Sequence, residues 1–231
     1  GEPGALPVQA RGELLARGVA DDWTLEGEAV LARNGDEARL RVAGEGDREQ
    51  LRLDALRATT PGGALEGSGR VRWAPRFELG LQATLQDLDP GYFLPDYPGR
   101  LSGALDLQAA NDDAGWQGAF TLEDLRGELR QRAVAGRANA TWQAGQGQGE
   151  ATLRLGESAV RARGAFGQRH DLQVQLEPLQ LADVLAGGEG RIEGRFALHG
   201  PAAAPDVSAD LRGNALAWDG YRAETLALSG Q

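Results

Sequence analysis

A chain of 231 residues with 34 glycines, 10 prolines, 41% apolar and 25% charged residues is long enough for one large β domain and too rich in both classes for simple disorder. The net charge of −10, with every arginine scattered among more numerous carboxylates, excludes the basic surface that nucleic acid requires. The absence of cysteine excludes disulfides, thiolate metal sites and thiol nucleophiles, and leaves cytoplasm and periplasm both open.

Alternation of apolar and polar residues with period two runs almost the whole length, which predicts strands wet on one face and dry on the other. In chain order, Leu40 and Val42 oppose Arg39 and Arg41, and Phe77, Leu79 and Leu81 oppose Glu78 and Gln82. The alternation then breaks at "LDPGYFLPDYP", 88–98. It resumes with Leu101, Leu105 and Leu107 against Ser102, Asp106 and Gln108, and again with Val134, Gly136, Ala138, Ala140 and Trp142 against Arg137, Asn139, Thr141 and Gln143. Val160 and Phe166 face away from Arg161 and Arg163, and Leu172, Val174 and Leu176 from Gln173 and Gln175. A second break, "LQLADVLAGGE" at 179–189, suits a turn or two of helix on Leu181, Val184 and Leu185. Beyond it Ile192, Phe196 and Leu198 oppose Glu193, Arg195 and Ala197. Glycine-rich clusters mark the turns: "AGEGDRE" from 43, "TTPGGA" from 59, "NDDAG" from 111, "AGQGQG" from 144, "GQRHD" from 167 and "GPAAAPD" from 200.

The chain also rewrites itself. "GRLSGALDLQA" from 99 and "GRIEGRFALHG" from 190 share Gly-Arg-aliphatic-X-Gly at an offset of ninety-one. The same offset aligns Leu88 with Leu179, Phe93 with Val184 and Leu94 with Leu185. "DLRG" at 124–127 returns at 210–213, and the change of offset falls in the "NDDAG" and "GPAAAPD" turns. No linker marks a domain boundary. The expectation is therefore a single elongated segment, 1–231, built of degenerate repeats at roughly 1–87, 88–178 and an incomplete 179–231.

Catalytic readings fail on spacing. His170 and His199 lie in or beside turns without paired-ligand spacing, "DLDP" and "NDD" lack the pattern of a calcium loop, and "EGSG" lacks the nucleophile elbow. Acidic residues populate the wet face diffusely instead of converging on one cleft. No enzyme activity, metal or cofactor is expected.

A one-layer sheet cannot leave its apolar face in water, since each buried Leu or Phe is worth about 1.5–3 kcal/mol. It can close on itself, or curl partly and leave a groove for an apolar guest. Alternation by itself favours the closed core, which needs no guest. Gly103, Gly136, Gly164 and Gly194 at inward positions read equally as gaps for a guest or as points of strand bending. Trp73, Trp142 and Trp218 fall on dry registers, whereas Trp23 precedes a strand and Trp116 follows a turn. Core packing or a groove rim would use either set.

The segments "LDPGYFLPDYPGRLSGALDL", "LEDLRGELRQRAVAGRANATW" and "LGESAVRARGAFGQRHDLQVQLEPLQLADVLAGGEGRIEGRFALHG" resemble the TamB family, over most of 65–231 and, through "LPVQARGELL", more faintly over 5–60. The resemblance implies an all-β, elongated, curled sheet shaped like a taco shell, with an apolar interior and short helical turns between repeats. It further implies a periplasmic segment of a Gram-negative protein that a helix absent here anchors in the inner membrane. In that frame the chain would guide phospholipids towards the outer membrane, or chaperone unfolded outer-membrane protein strands with the partner TamA, which would be met by regions outside this segment. The remaining alternative is a β spacer with a closed core and no cargo. The absence of methionine fits an expectation that the chain was excised from a longer frame. On a groove reading the lining residues are Leu101, Leu105, Leu107, Trp142, Phe166, Val174, Ile192, Phe196 and Leu198.

Overall fold

The computed structural model describes residues 9–33, 36–92 and 95–230. Residues 1–8 of the first expected repeat, and the alignments of Phe93 and Leu94, lie outside the described residues. The strands are β1 (Gln9–Val19), β2 (Asp22–Arg33), β3 (Asp36–Gly46), β4 (Gln50–Thr60), β5 (Gly63–Arg72), β6 (Phe77–Leu88), β7 (Gly99–Asp112) and β8 (Gly115–Leu129). They continue as β9 (Arg132–Gln143), β10 (Gln146–Leu155), β11 (Ser158–Gly167), β12 (Arg169–Gln180), β13 (Glu189–Pro201), β14 (Asp206–Trp218) and β15 (Tyr221–Gly230). A 3-10 turn (Pro90–Tyr92) and one short helix, α1 (Leu181–Val184), occupy the two breaks in the alternation.

All fifteen strands form one antiparallel sheet in strict chain order, and the sheet does not close. Sequential pairing follows from the short connections, because an antiparallel neighbour can be reached by a tight hairpin. Positive φ at Arg130 and Gln131, at Ala144 and Gly145, and at Asp219 and Gly220 builds three of these hairpins in the conformation that matches strand twist. Register shifts interrupt the ladder between Leu53 and Leu56, Leu85 and Leu88, Leu122 and Leu125, and Leu176 and Leu179. Such bulges bend the strand that carries them, which curls the sheet without flipping its faces.

The accessible surface is 15007 Å², against about 10,000 Å² for a compact monomer of this mass. The closed core that alternation alone favours is therefore not what forms. Among the described residues the only buried apolar side chains are Ala38, Ala83, Val134 and Leu155. A sheet without a second layer has nothing to bury the rest.

Several glycine clusters expected to be turns are strand. Gly44 and Gly46 belong to β3, and Gly147 and Gly149 to β10, so the turn after β9 is only Ala144–Gly145. Gly46 and Gly147 leave room for rings from neighbouring strands, and Gly44 and Gly149 for the close carbonyls of Arg52 and Asn139, cross-strand demands that a local turn signal imitates. Trp23, expected before a strand, lies within β2, whereas Trp116 follows its turn as expected, at the start of β8.

The two breaks stitch the sheet along one edge. From the β6–β7 connection, Tyr92 Oη donates 2.6 Å to the carbonyl of Leu31 in β2, and Asp89 lies beside Gly62 in the β4–β5 turn. From the β12–β13 connection, Asp183 accepts hydrogen bonds from Ser158 Oγ at 2.7 Å, Ser158 N at 3.0 Å and Glu157 N at 3.1 Å. Its other oxygen lies 2.7 Å from Arg132 Nη1, a charge contact not aligned as a hydrogen bond. Each break thus reaches backwards across earlier hairpins. The pairing also sets Leu88 opposite Leu101 and Leu179 opposite Ile192, ninety-one residues on.

Asp183 is 1% exposed, and its removal strands two backbone donors and Ser158 Oγ. In Asp183→Ala the amides of Glu157 and Ser158 should exchange at least about tenfold faster, a loss of one to three kcal/mol spread over a local opening. Amides of β1–β5 should keep their rates, and a uniform rise across the sheet would contradict this local role.

Candidate functional site

Directly paired residues share a face, so the register sorts every side chain. On the apolar face one row runs Trp23, Gly46, Leu51, Val71, Leu79, Ala109, Gly118, Trp142, Gly147 and Phe166 across β2 to β11. A parallel row passes through Leu81, Leu107, Phe120, Leu172 and Leu198. A middle row passes through Ala83, Leu105, Leu122, Ala138, Val174 and Phe196. Nearest the stitched edge lie Leu88, Leu101, Val134 and Leu155, and further on Leu179, Ile192 and Leu226. All nine residues named from the sequence as lining therefore stand on this one face. Leu14, Leu153, Phe196, Val207, Leu226 and Leu228, also on it, are 37% to 68% exposed, so no part of the described chain covers them.

The two long edges of the face differ. At the edge opposite the stitches, aromatic rings gather: Trp23, Trp73, Phe77, Trp116, Trp142 and Phe166. Phe77 and Trp116 meet edge to face at 5.5 Å. Trp23 Nε1 donates to the Asp47 carbonyl at 3.1 Å, and Trp73 Nε1 to the Arg48 carbonyl at 2.7 Å, which fixes both indoles against the β3–β4 turn. Glycines lie beneath the rings. A Cβ at Gly46 would enter the Trp23 ring, one at Gly118 the Trp142 ring, and one at Gly147 the Phe166 ring. The sequence carried this signal as strand glycines directly opposite aromatics, legible only once register was known. Gly164 and Gly194, at φ 139° and 132°, approach the backbones of Asp171 and Asp210 so closely that they serve bending and leave no gap for a guest. Trp218, opposite Tyr221 at the β14–β15 turn, stands instead at the stitched edge, towards the last strands and beyond both stitches, where the two rings are exposed.

The polar face is a field of cross-strand ion pairs, among them Arg41–Glu28 at 2.8 Å, Arg52–Glu45 at 2.8 Å and Arg57–Glu66 at 3.0 Å, each between directly opposed residues. Exposed pairs of this kind contribute little each, because water and salt screen them. Two hollows, about 1210 Å³ beside Arg52, Arg70 and Gln108 and about 1280 Å³ beside Arg137, Arg161 and Arg195, open between these long side chains. The second is lined mainly by polar and charged atoms, which suit water better than hydrocarbon, whereas apolar atoms slightly outweigh polar ones in the first. His170 belongs to the apolar register and His199, 3.0 Å from Asp171, to the polar one, so the two histidines do not converge. Among the described residues no group of His, Asp and Glu is arranged to hold a metal ion.

Asp47 holds the turn beneath Trp23. Its carboxyl is pulled below the ordinary 3.8 chiefly by the Glu49 backbone N–H, then by the Gln50 side chain. A depressed carboxylate stabilises above its unfolded value and ceases to as pH falls through the folded one. Acidification below about 3.8 should therefore loosen this turn and red-shift Trp23 fluorescence, and Asp47→Asn should flatten that dependence. Gly118→Leu should cost about 1–3 kcal/mol in urea unfolding by displacing Trp142. Gly80→Ala, with open space around it, should change stability by less than about 1 kcal/mol.

The model of the family described as "TamB, N-terminal domain" matches residues 8–231. The Translocation and assembly module subunit TamB of Haemophilus influenzae is 22% identical over 195 residues, 84% of this chain. The chain spans 15% of that relative's length. No solved structure matches. With a match across almost its whole length, the chain belongs to the TamB family, as a segment of that family's N-terminal domain.

Proposed function

We propose that this segment supplies an apolar track along which phospholipids pass between the inner and outer membranes. The observation that carries the reading is the apolar face itself, continuous across the sheet and covered by no second layer among the described residues. Exposed patches beyond roughly 300–600 Å² are unusual on proteins that bind nothing. Acyl chains would lie against Leu101, Leu105, Leu107, Trp142, Phe166, Val174, Ile192, Phe196 and Leu198, with headgroups in periplasmic water. Movement along such a track needs no chemistry from the protein, only continuity of dry surface and a gradient imposed at its ends.

Family membership supports a role in a translocation and assembly module. Among the described residues no helix is long and apolar enough to cross a membrane. The repeat that the sequence suggests corresponds in this reading to six strands and one backward stitch, a unit that lengthens the track by simple addition.

Photocrosslinking tests the proposal in cells. A photoreactive residue at Phe196 should capture phospholipid, and one at Arg195, on the opposite face, should not. Protein adducts alone at 196 would replace lipid transport with a chaperone role for outer-membrane strands, and adducts only to the same molecule would leave a spacer without cargo.

A further inference from the structure

We infer that phospholipids sit across the track in one orientation, with their headgroups at the aromatic edge and their chain ends pointing towards the stitched edge. This rests on the lipid reading above and adds to it a direction and a headgroup class.

The two edges offer a lipid different surroundings. At the stitched edge, Val134, Leu155, Ser158 and Asp183 are all buried, and Ala38 lies buried near the Tyr92 contact to Leu31. Segments of the chain already occupy the space that a headgroup would need. The opposite edge carries no such segments, because its connections are one to four residues long. Its Trp73 and Trp116 are 45% and 51% exposed, with Trp23 and Trp142 half-buried behind them. Indoles favour the boundary between hydrocarbon and water, where one part of the ring system is dry and the N–H is satisfied. Here the N–H groups of Trp23 and Trp73 are held by turn carbonyls, so the rings stay at that boundary whether or not a lipid is present.

Dimensions agree with this placement. Alternate residues along a strand are about 6.6–6.8 Å apart, so the middle row lies about 13 Å from the aromatic row. A leaflet's share of a bilayer core is about 15 Å. A chain whose glycerol end rests at the aromatic row therefore ends near Leu105, Ala138 and Phe196. Just outside the aromatic row, Arg48 pairs with Asp21 at 2.6 Å and Arg76 lies 3.7 Å from Asp113, all exposed. Both signs of charge are thus available to a headgroup that carries both, which points to zwitterionic phospholipids.

The chain has no cysteine, so a single introduced one can be labelled cleanly. Ala109→Cys in the aromatic row, Ala138→Cys in the middle row and Leu101→Cys at the stitched edge would each carry a bimane fluorophore, with circular dichroism confirming the strand content. The probe is phosphatidylcholine bearing a nitroxide on the headgroup or at the chain end. Headgroup nitroxide should quench the label at 109 at least about twofold more than at 101, and chain-end nitroxide should quench most at 138. Strongest headgroup quenching at 101, or equal quenching at all three, would overturn the orientation while leaving the lipid track standing. Absence of quenching by either probe at every position would overturn both. Phosphatidylglycerol probes quenching more strongly than phosphatidylcholine would overturn the headgroup class alone.

Discussion

The apolar face of a sheet with no opposing layer is the constraint on which the rest of this structure depends. In a sandwich the inner faces of two sheets desolvate each other, and the conformational cost of ordering the strands is met there. Here each apolar side chain loses water only to its neighbours in the same face. Rows of aromatic rings over glycines make the most of that lateral contact, because a ring lying flat along the sheet covers more backbone than an upright side chain would. The same constraint explains the size of the surface: what would be core elsewhere remains available to something outside the described chain.

Without a core, order comes from the ladder and from the edges. The hydrogen-bond ladder links every strand to the next, bulges included, and ion pairs between directly opposed residues, such as Arg72 with Glu78, hold the polar side in the register that the apolar side requires. A one-residue slip would exchange the faces and set arginines among leucines. Stability of this kind is nearly one-dimensional, since each strand touches its two neighbours and little else. Asp183 and Tyr92 are exceptions that tie together strands not adjacent in the sheet.

Alternation made most of the strands and both faces legible, because a period of two is written directly into residues such as Leu172, Val174 and Leu176. The two breaks were legible for the opposite reason, their prolines and helix-permitting spacing interrupting that period. Three things were not. Whether the sheet closes depends on curvature summed over many strands, and the bulges that set it, as at Leu53/Leu56, leave only faint local marks. Strand glycines such as Gly147 read as turns because the ring that needs their space, Phe166, lies on another strand. The aromatic edge was hidden because Trp23, Trp73, Trp116 and Trp142 are far apart in the chain and meet only through register.

The direction of the stitches has a further consequence. Tyr92 reaches strand β2 and Asp183 reaches the turns flanking β9 and β11, so each tie binds to chain that precedes it. A polypeptide emerging from its N-terminal side would have every such partner already in hand when the stitch appears. Each section can then be fastened as it emerges, without waiting for later sequence and without a long-range search. The architecture is vectorial: assembly advances with synthesis, and the growing end carries at most one unfastened section.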